Sequence, residues 1–314
     1  MPGLENLVRQ RLTESAELTR LLARYQGQSA VFYQLAPEDT QTGWERAEGT
    51  PPDSPAQYPR VVYDFNKLAS AERKSSGTLA VFVFCDTAGT EPEPIERLIM
   101  ERLKDVLIKP EDGFPYCFAW SRTDTYEIPG LDQGATNRRV IGQEMDFDII
   151  EYPMQETTDP DPVAALNNYL RAQYPEVVIV DLTHMAPFTE ASAKNPVVYC
   201  RLQGTAMEAT SNMTVWMNAR IAIHVICSDP ETRLKLAADI QNRLTVHAKM
   251  RMLDGSIMRP KSVELNNTAD YLKDGQIDGT FHYGIMRWMP NHHRLRQAHI
   301  DLNPNVYIED CGRT

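Results

Sequence analysis

The sequence predicts an α+β fold: two similar domains, each a mostly antiparallel sheet packed by two amphipathic helices. Three observations carry that expectation. Strand-like runs of β-branched and aromatic residues outnumber helical stretches, the apolar residues of each helical stretch keep to one face, and the order of elements in the first half starts again in the second. A chain of 314 residues is long enough for two domains of roughly 150 residues, each with its own core. The domains are expected at 1–153 and 161–290, with 291–314 as a C-terminal extension or arm.

Leu4, Leu7, Val8 and Leu12, then Leu18, Leu21, Leu22 and Tyr25, have helical spacing, with a break at Thr13-Glu14-Ser15 and an end at Gly27. Ala30 to Tyr33 reads as a strand, and the Pro, Gly, Asp and Ser content from Pro37 to Pro55 predicts a long loop. Strands follow at Val61 to Tyr63 and Leu79 to Cys85, separated by a linker holding Glu72, Arg73 and Lys74. Pro94 suits the first turn of a helix whose Ile95, Leu98, Ile99, Leu103, Val106 and Leu107 share a face. Glu91, Glu93 and Glu96 suit its positive N-terminal end. Tyr116 to Trp120 and Val140 to Ile150 are strands, the latter alternating at Met145, Phe147 and Ile149.

The second half repeats this order. Asp161 caps a helix that opens on Pro162, carries Val163, Leu166, Tyr169 and Leu170, and stops at Tyr174-Pro175. Strands are expected at Val177 to Val180, Val197 to Leu202 and Val215 to Cys227. A helix from Asp229-Pro230 places Leu234, Ala237, Ile240, Gln241 and Leu244 on one side, and strands follow near Ser262 to Leu265 and Gly279 to Met286. Pro59 maps to Pro196, Cys85 to Cys227, Leu103 to Leu244 and Phe147 to Phe281, at offsets of 137, 142, 141 and 134 positions. Near-constant offsets favour an internal duplication over two unrelated α+β domains that share an order by accident. Tyr152 to Pro160 reads as the linker.

Net charge is −11, of which −8 falls within residues 1–150. An acidic chain is a poor binder of phosphate backbones and suits a surface past which DNA slides without sticking. No apolar run approaches the roughly 18 residues that span a bilayer, and charge interrupts the first 22 residues, so neither a membrane span nor a signal peptide is expected. Cys85, Cys117, Cys200, Cys227 and Cys311 form no C-x-x-C pair and read as reduced thiols of a cytosolic protein, mostly packed in strands.

Signatures of phosphate-cradling loops and nucleophile elbows are missing. His292, His293 and His299 cluster, but Arg294 and Arg296 among them oppose a cation and favour a partner-docking segment. Cys117 and Cys200 lack a neighbouring base in sequence. Glu144, Asp146, Asp148 and Glu151 alternate with apolar residues, which points to the wet face of a half-buried strand rather than a metal site. No cofactor or metal is expected.

The N-terminal helix, the proline-led strand YPRVVYDF, the hairpin into TLAVFVFCDT and the acidic helix EPEPIERLIMERL resemble the tail terminator (tail completion) proteins of long-tailed bacteriophages. NPVVYCRL, ARIAIHVICSDP and ETRLKLAADIQNRL resemble them again, so the likeness covers most of residues 4–288, apparently as a tandem duplication. The resemblance implies a structural virion protein without enzyme activity, assembled in the host cytoplasm and sited at the tail-neck junction. It implies a ring, usually sixfold, that caps the tail tube protein and docks head-tail connector or neck proteins. The sheath protein is a further candidate partner, DNA passes through the lumen without specific binding, and no membrane is involved. Another neck component, such as a head-completion or sheath-capping protein, and a two-domain enzyme or ligand binder with an interdomain cleft are the competing readings. Candidate contact residues are Trp44 in the long loop, Arg73 and Lys74 in the linker, Met207 and Met213 in MEATSNMTVWM, and Arg294 and Tyr307 in the extension. The alternative for Trp44 and the methionines is that they cover or fill their own domain. Pro304, Val306, Tyr307 and Ile308 form an extended run able to add a strand to an open sheet edge.

Overall fold

The computed structural model describes residues 3–287 apart from 53, 87–88, 90, 112, 129–139, 154–160, 182–184 and 248. The chain is a mixed α+β fold with mostly antiparallel sheets. Helices α1 (Leu4–Thr13) and α2 (Ala16–Leu21) part at the expected break, where Ser15 caps α2 by accepting the Leu18 N–H. The helical reading overshoots at its end: α2 stops at Leu21, Tyr25 belongs to β1 (Arg24–Tyr25), and Gly27 with φ of 77° serves the turn into β2 (Gln28–Ser29). Then come β3 (Val31–Tyr33), β4 (Trp44–Glu45), β5 (Arg60–Asn66) and β6 (Gly77–Asp86). Helix α3 (Pro92–Leu103) starts two residues before Pro94, and the predicted face overruns it, because Val106 and Leu107 lie in β7 (Val106–Ile108). Strands β8 (Tyr116–Ile128) and β9 (Val140–Glu151) close the half.

In the second half, α4 (Pro162–Gln173) opens as expected, with the Asp161 carboxylate accepting the Val163 and Ala164 N–H groups at 2.8 and 3.0 Å. It is followed by β10 (Val178–Ile179), β11 (Phe188–Glu190), β12 (Val197–Thr210), β13 (Thr214–Ile226) and α5 (Pro230–His247). Ala237, Ile240 and Leu244 of α5 are buried, but Leu234 points outward. Strands β14 (Met250–Arg251), β15 (Ile257–Leu265) and β16 (Ile277–Met286) end the described fold. The region 291–314, with Arg294, Tyr307 and Cys311, lies outside the described residues.

The second half forms one sheet of order β14-β15-β16-β13-β12-β10, and the first half forms β7-β8-β9-β6-β5-β3. The two orders match strand for strand. Both outermost pairs, β3 with β5 and β10 with β12, are parallel, and the rest are antiparallel. In each sheet one face packs under helices. Leu4, Val8, Leu12, Leu18, Ile95 and Ile99 meet Val61, Leu79, Val81 and Phe147 in the first, and Leu166, Leu170, Ile240 and Leu244 meet Val198, Ile221, Ile223 and Phe281 in the second. Three of the four sequence anchors hold equivalent places. Phe147 is displaced: it opposes Leu79, whose counterpart Ile221 opposes Gly279, so Phe281 stands two residues further on the same face.

The halves are not independent. Strand β11, from the second half, pairs antiparallel with β7 and extends the first sheet to seven strands. Arg11 of α1 holds Glu190 of β11 in an ion pair and lies over the Phe188 ring. A third apolar cluster joins the halves: Leu107, Cys117, Ile150 and Tyr152 from the first, and Val180, Ala191, Val197, Tyr199, Ile226 and Leu272 from the second. Tyr152, expected in a linker, is fully buried there, its hydroxyl donating to the Leu272 carbonyl at 3.0 Å and its ring edge-on to Tyr199 at 4.8 Å. Around this seam Lys273 pairs with Asp148 at 2.8 Å, Tyr271 donates to Asp105 at 2.8 Å, and Lys74 pairs with Asp274. His224 is enclosed against both tyrosines and its Nδ1 donates to the Tyr271 carbonyl at 3.1 Å, which leaves Nε2 as the unprotonated nitrogen. Burial first, then the Arg201 charge, lower its pKa to about 4.

Two outcomes follow from the seam. Tyr152→Ala is expected to cost at least about 3 kcal/mol and to split a single urea transition into two, monitored by tryptophan fluorescence and circular dichroism. Because the His224 pKa is depressed on folding, its contribution is complete above pH 6.5 and is lost as the pH falls to about 4, roughly 3 kcal/mol in all. Urea midpoints measured between pH 7 and 4 are expected to fall less steeply for His224→Phe than for the unaltered chain.

Candidate protein interface

Trp44 does not stand alone in its loop. Strand β4 pairs with β1, and β2, β1 and β4 make a small third sheet that seats the indole against Tyr25 and Phe32 at 5.0 and 5.8 Å. Its Nε1–H donates to the Glu38 carbonyl at 3.2 Å, so this side chain covers its own domain. Arg73 and Lys74, in the β5–β6 turn, also act within the chain: Arg73 bonds Asp148 and Ser121, and Lys74 reaches Asp274 across the seam.

Met207 and Met213 do lie together on an exposed structure. Strands β12 and β13 run past the reach of the second core and, with the end of β16 beside β13, form a three-stranded tongue. Met207, Met213, Trp216 and Met286 are exposed on it. The outer edge of β12 carries β10 only at Val197 and Val198, and from Gln203 to Thr210 it has no strand partner among the described residues. About half of those residues direct N–H and C=O groups outward. One tongue face is polar: Glu208 accepts from Lys261 at 2.5 Å, lies 2.9 Å from His282 Nδ1, and is held below its usual pKa first by the lysine hydrogen bond. Trp216 stacks on His282 at 5.1 Å and lies across Gly284, where an added Cβ would come within 3.0 Å of the indole.

In the first sheet β8 likewise outruns its outer neighbour β7, while β9 stays paired with β6 from Val140 to Ile149. Only Tyr116 and Cys117 of β8 pair with β7, so Ala119 to Tyr126 have an open outer edge among the described residues. Tyr126 lies over Gly142 as Trp216 does over Gly284. Next to it, on the sheet face away from the helices, Phe82 and Phe84 stack at 6.4 Å with Arg60 over Phe84 at 5.5 Å. Glu144 opposes Phe82, and burial, then the nearby Asp146, raise its pKa. The alternation read along β9 holds: Met145, Phe147 and Ile149 are fully buried while Glu144 and Asp146 are half-exposed. Asp148 departs from it, being buried at the seam between Arg73 and Lys273.

A cleft of about 540 Å³ opens beside Pro153, where the competing ligand-binding reading would place one, with Lys74, Ser75, Glu151, Arg201 and Lys273 among its walls. Its lysines are already paired with Asp274 and Asp148. Cys85, Cys117, Cys200 and Cys227 are buried and free, and burial lifts each thiol above its ordinary range. No group of three His, Cys, Asp or Glu able to hold a metal occurs among the described residues, and no described helix is long and apolar enough to cross a membrane. Comparison with protein-family models, curated proteins and solved structures finds no match to this chain.

Sequence reading located Met207 and Met213 but passed over Trp120, Tyr126 and Met286. The signal for β8 was present in Thr123, Thr125, Tyr126 and Ile128, strand formers without alternation because neither face is buried. Lysine at both Met207 and Met213 is expected to change unfolding free energy by less than about 0.5 kcal/mol. Trp216→Ala, which uncovers Gly284, is expected to cost about 1 kcal/mol, both measured by urea denaturation.

Proposed function

We propose that this chain is a structural protein of a phage tail or tail-like particle, closing the end of the tail tube as an oligomeric ring and presenting a docking face to head-tail connector or neck proteins. The observation that carries the reading is the recurrence of one strand order, with one parallel outer pair and helices on one face, in both halves. That recurrence supports two tail-terminator-like modules derived by duplication. The resemblance of the proline-led strands and the acidic α3 helix to tail terminator proteins supports the reading, and the exposed tongue and open strand edges are surfaces of the kind a self-assembling protein uses. Its acidic first half suits a lumen through which DNA moves.

The interdomain cleft supports a second reading, a ligand binder, which ranks below the first because its lysines are committed to carboxylates at the seam. Electron microscopy of the purified protein, alone and with tail tubes, separates them. Rings, free or seated on tube ends, are the expected outcome. Single particles under both conditions, with a small molecule that raises the melting temperature, would replace the ring by the binder.

A further inference from the structure

We propose that copies of this chain join head to tail, the Trp216 end of one second half docking on the Phe82 and Phe84 face of the next copy's first half. This contact rests on the assembly reading above and names its surfaces. The seam within the chain is its template. From the first half the seam takes the start of β8 and the end of β9, with Cys117, Ile150 and Tyr152, and the β5–β6 turn with Lys74. From the second it takes the start of β12 and the end of β13, with Val197, Tyr199, His224 and Ile226, and the β15–β16 turn with Leu272. Strand order makes β8 and β9 the counterparts of β15 and β16, and β5 and β6 the counterparts of β12 and β13. The two contributions are opposite ends of like modules, a heterologous contact, which among the described residues leaves one unlike end of each half without a partner module and can repeat from copy to copy.

Both free ends carry large apolar side chains, although in the second half the register counterparts of Cys117, Ile150 and Tyr152 are Arg259, His282 and Gly284, so that the apolar surface there is Trp216, stacked on His282, with its exposed neighbours. In the second half the cross-strand pairs Val197 with Ile226 and Tyr199 with His224 are buried at the seam. Their counterparts in the first half are Arg60 with Phe84 and Val62 with Phe82. There the two phenylalanines are partly buried and Val62 is buried, Arg60 lying over Phe84 and pairing with Asp39, and no second module covers them among the described residues. At the free end of the second half, which corresponds to the end the first half buries, Ile257 is 44%, Trp216 40%, Met213 67% and Met286 74% exposed. Large apolar side chains gathered at one end of a module mark a surface that meets protein rather than water. The edges agree. Strand β11 adds to the outer edge of β7, whose counterpart β14 has an open outer edge among the described residues. The segment matching that of β11 is the first-half connection between β3 and β5, where Leu35 is 84% exposed.

The test uses the full-length chain carrying Cys311→Ser, the remaining cysteines being buried. Two variants in that background, Phe84→Cys and Met286→Cys, are mixed and treated with a short bismaleimide. The expected product joins one of each, in a yield at least tenfold above that of either variant alone. In parallel, Phe84→Asp is expected to weaken self-association at least tenfold by sedimentation while its thermal midpoint stays near that of the unaltered chain. Self-adducts of Phe84→Cys alone would reveal a two-fold contact and overturn the proposal. Oligomers that persist in Phe84→Asp without the mixed adduct would also overturn it and leave the assembly reading standing. An unaltered chain that stays single at every concentration and beside tail tubes would remove both.

Discussion

Among the described residues each sheet is covered by helices on one face only, and one end of the back of the second sheet is dried by the first half. Side chains of a strand alternate, so a module that buries Val198, Ile221 and Ile223 under helices must turn Val197, Tyr199, His224 and Ile226 the other way. In water that second row would be an exposed apolar patch. At the seam it meets Cys117, Ile150 and Tyr152, the back row of the first sheet at its opposite end. The added strand β11 closes the edge of β7 at the same place. Burial of one apolar row by another thus determines how the halves are arranged and which ends remain open.

The same burial dictates the polar chemistry of the seam. His224, Asp105 and Asp148 are taken out of water together with the apolar rows, and each has a specific answer: the Tyr271 carbonyl, the Tyr271 hydroxyl, and Lys273 with Arg73. Gln276 makes two hydrogen bonds of 2.9 Å to the Val225 backbone with its side-chain amide and so behaves as a further rung of β13. Turns that look dispensable in sequence, Arg73-Lys74 and Tyr271-Leu272-Lys273, are held by these contacts because they face a partner module rather than solvent.

Elements with a buried face were legible in the sequence. The Asp161-Pro162 start, the Ser15 break and the strands around Val81, Phe147 and Ile223 all follow from capping chemistry or apolar alternation. Helix ends were not: Val106 and Leu107 continue the periodicity of α3 by coincidence, since a short buried strand and a helical face are both simply apolar there. The outer lengths of β8 and β12 were invisible for the opposite reason, as neither side of them is buried and no alternation is imposed. Among the candidate contact residues, the methionines showed themselves by being large and apolar among polar neighbours. Arg73 and Lys74 were placed at a contact whose partner proved to be the same chain, information that resides in tertiary pairing alone.

An internal contact between unlike ends has a consequence that one between like ends would lack. Had the halves met by equivalent surfaces, the pair would be closed, with both copies of the sticky end consumed. Here one end of each kind is consumed and one of each kind remains without a second module among the described residues, on the proposal at Phe82 with Phe84 and at Trp216 with Met286. Covalent linkage also makes the two kinds of joint unequal. The internal joint forms at an effective concentration on the order of millimolar, and β11 and the seam complete it in the free chain. A joint between copies, as proposed, would have no such advantage and would depend on protein concentration or on a surface that gathers chains. If the proposed contact between copies forms, one weak and one strong version of the same contact would let a subunit stay apart in solution and assemble where something holds its neighbours in place.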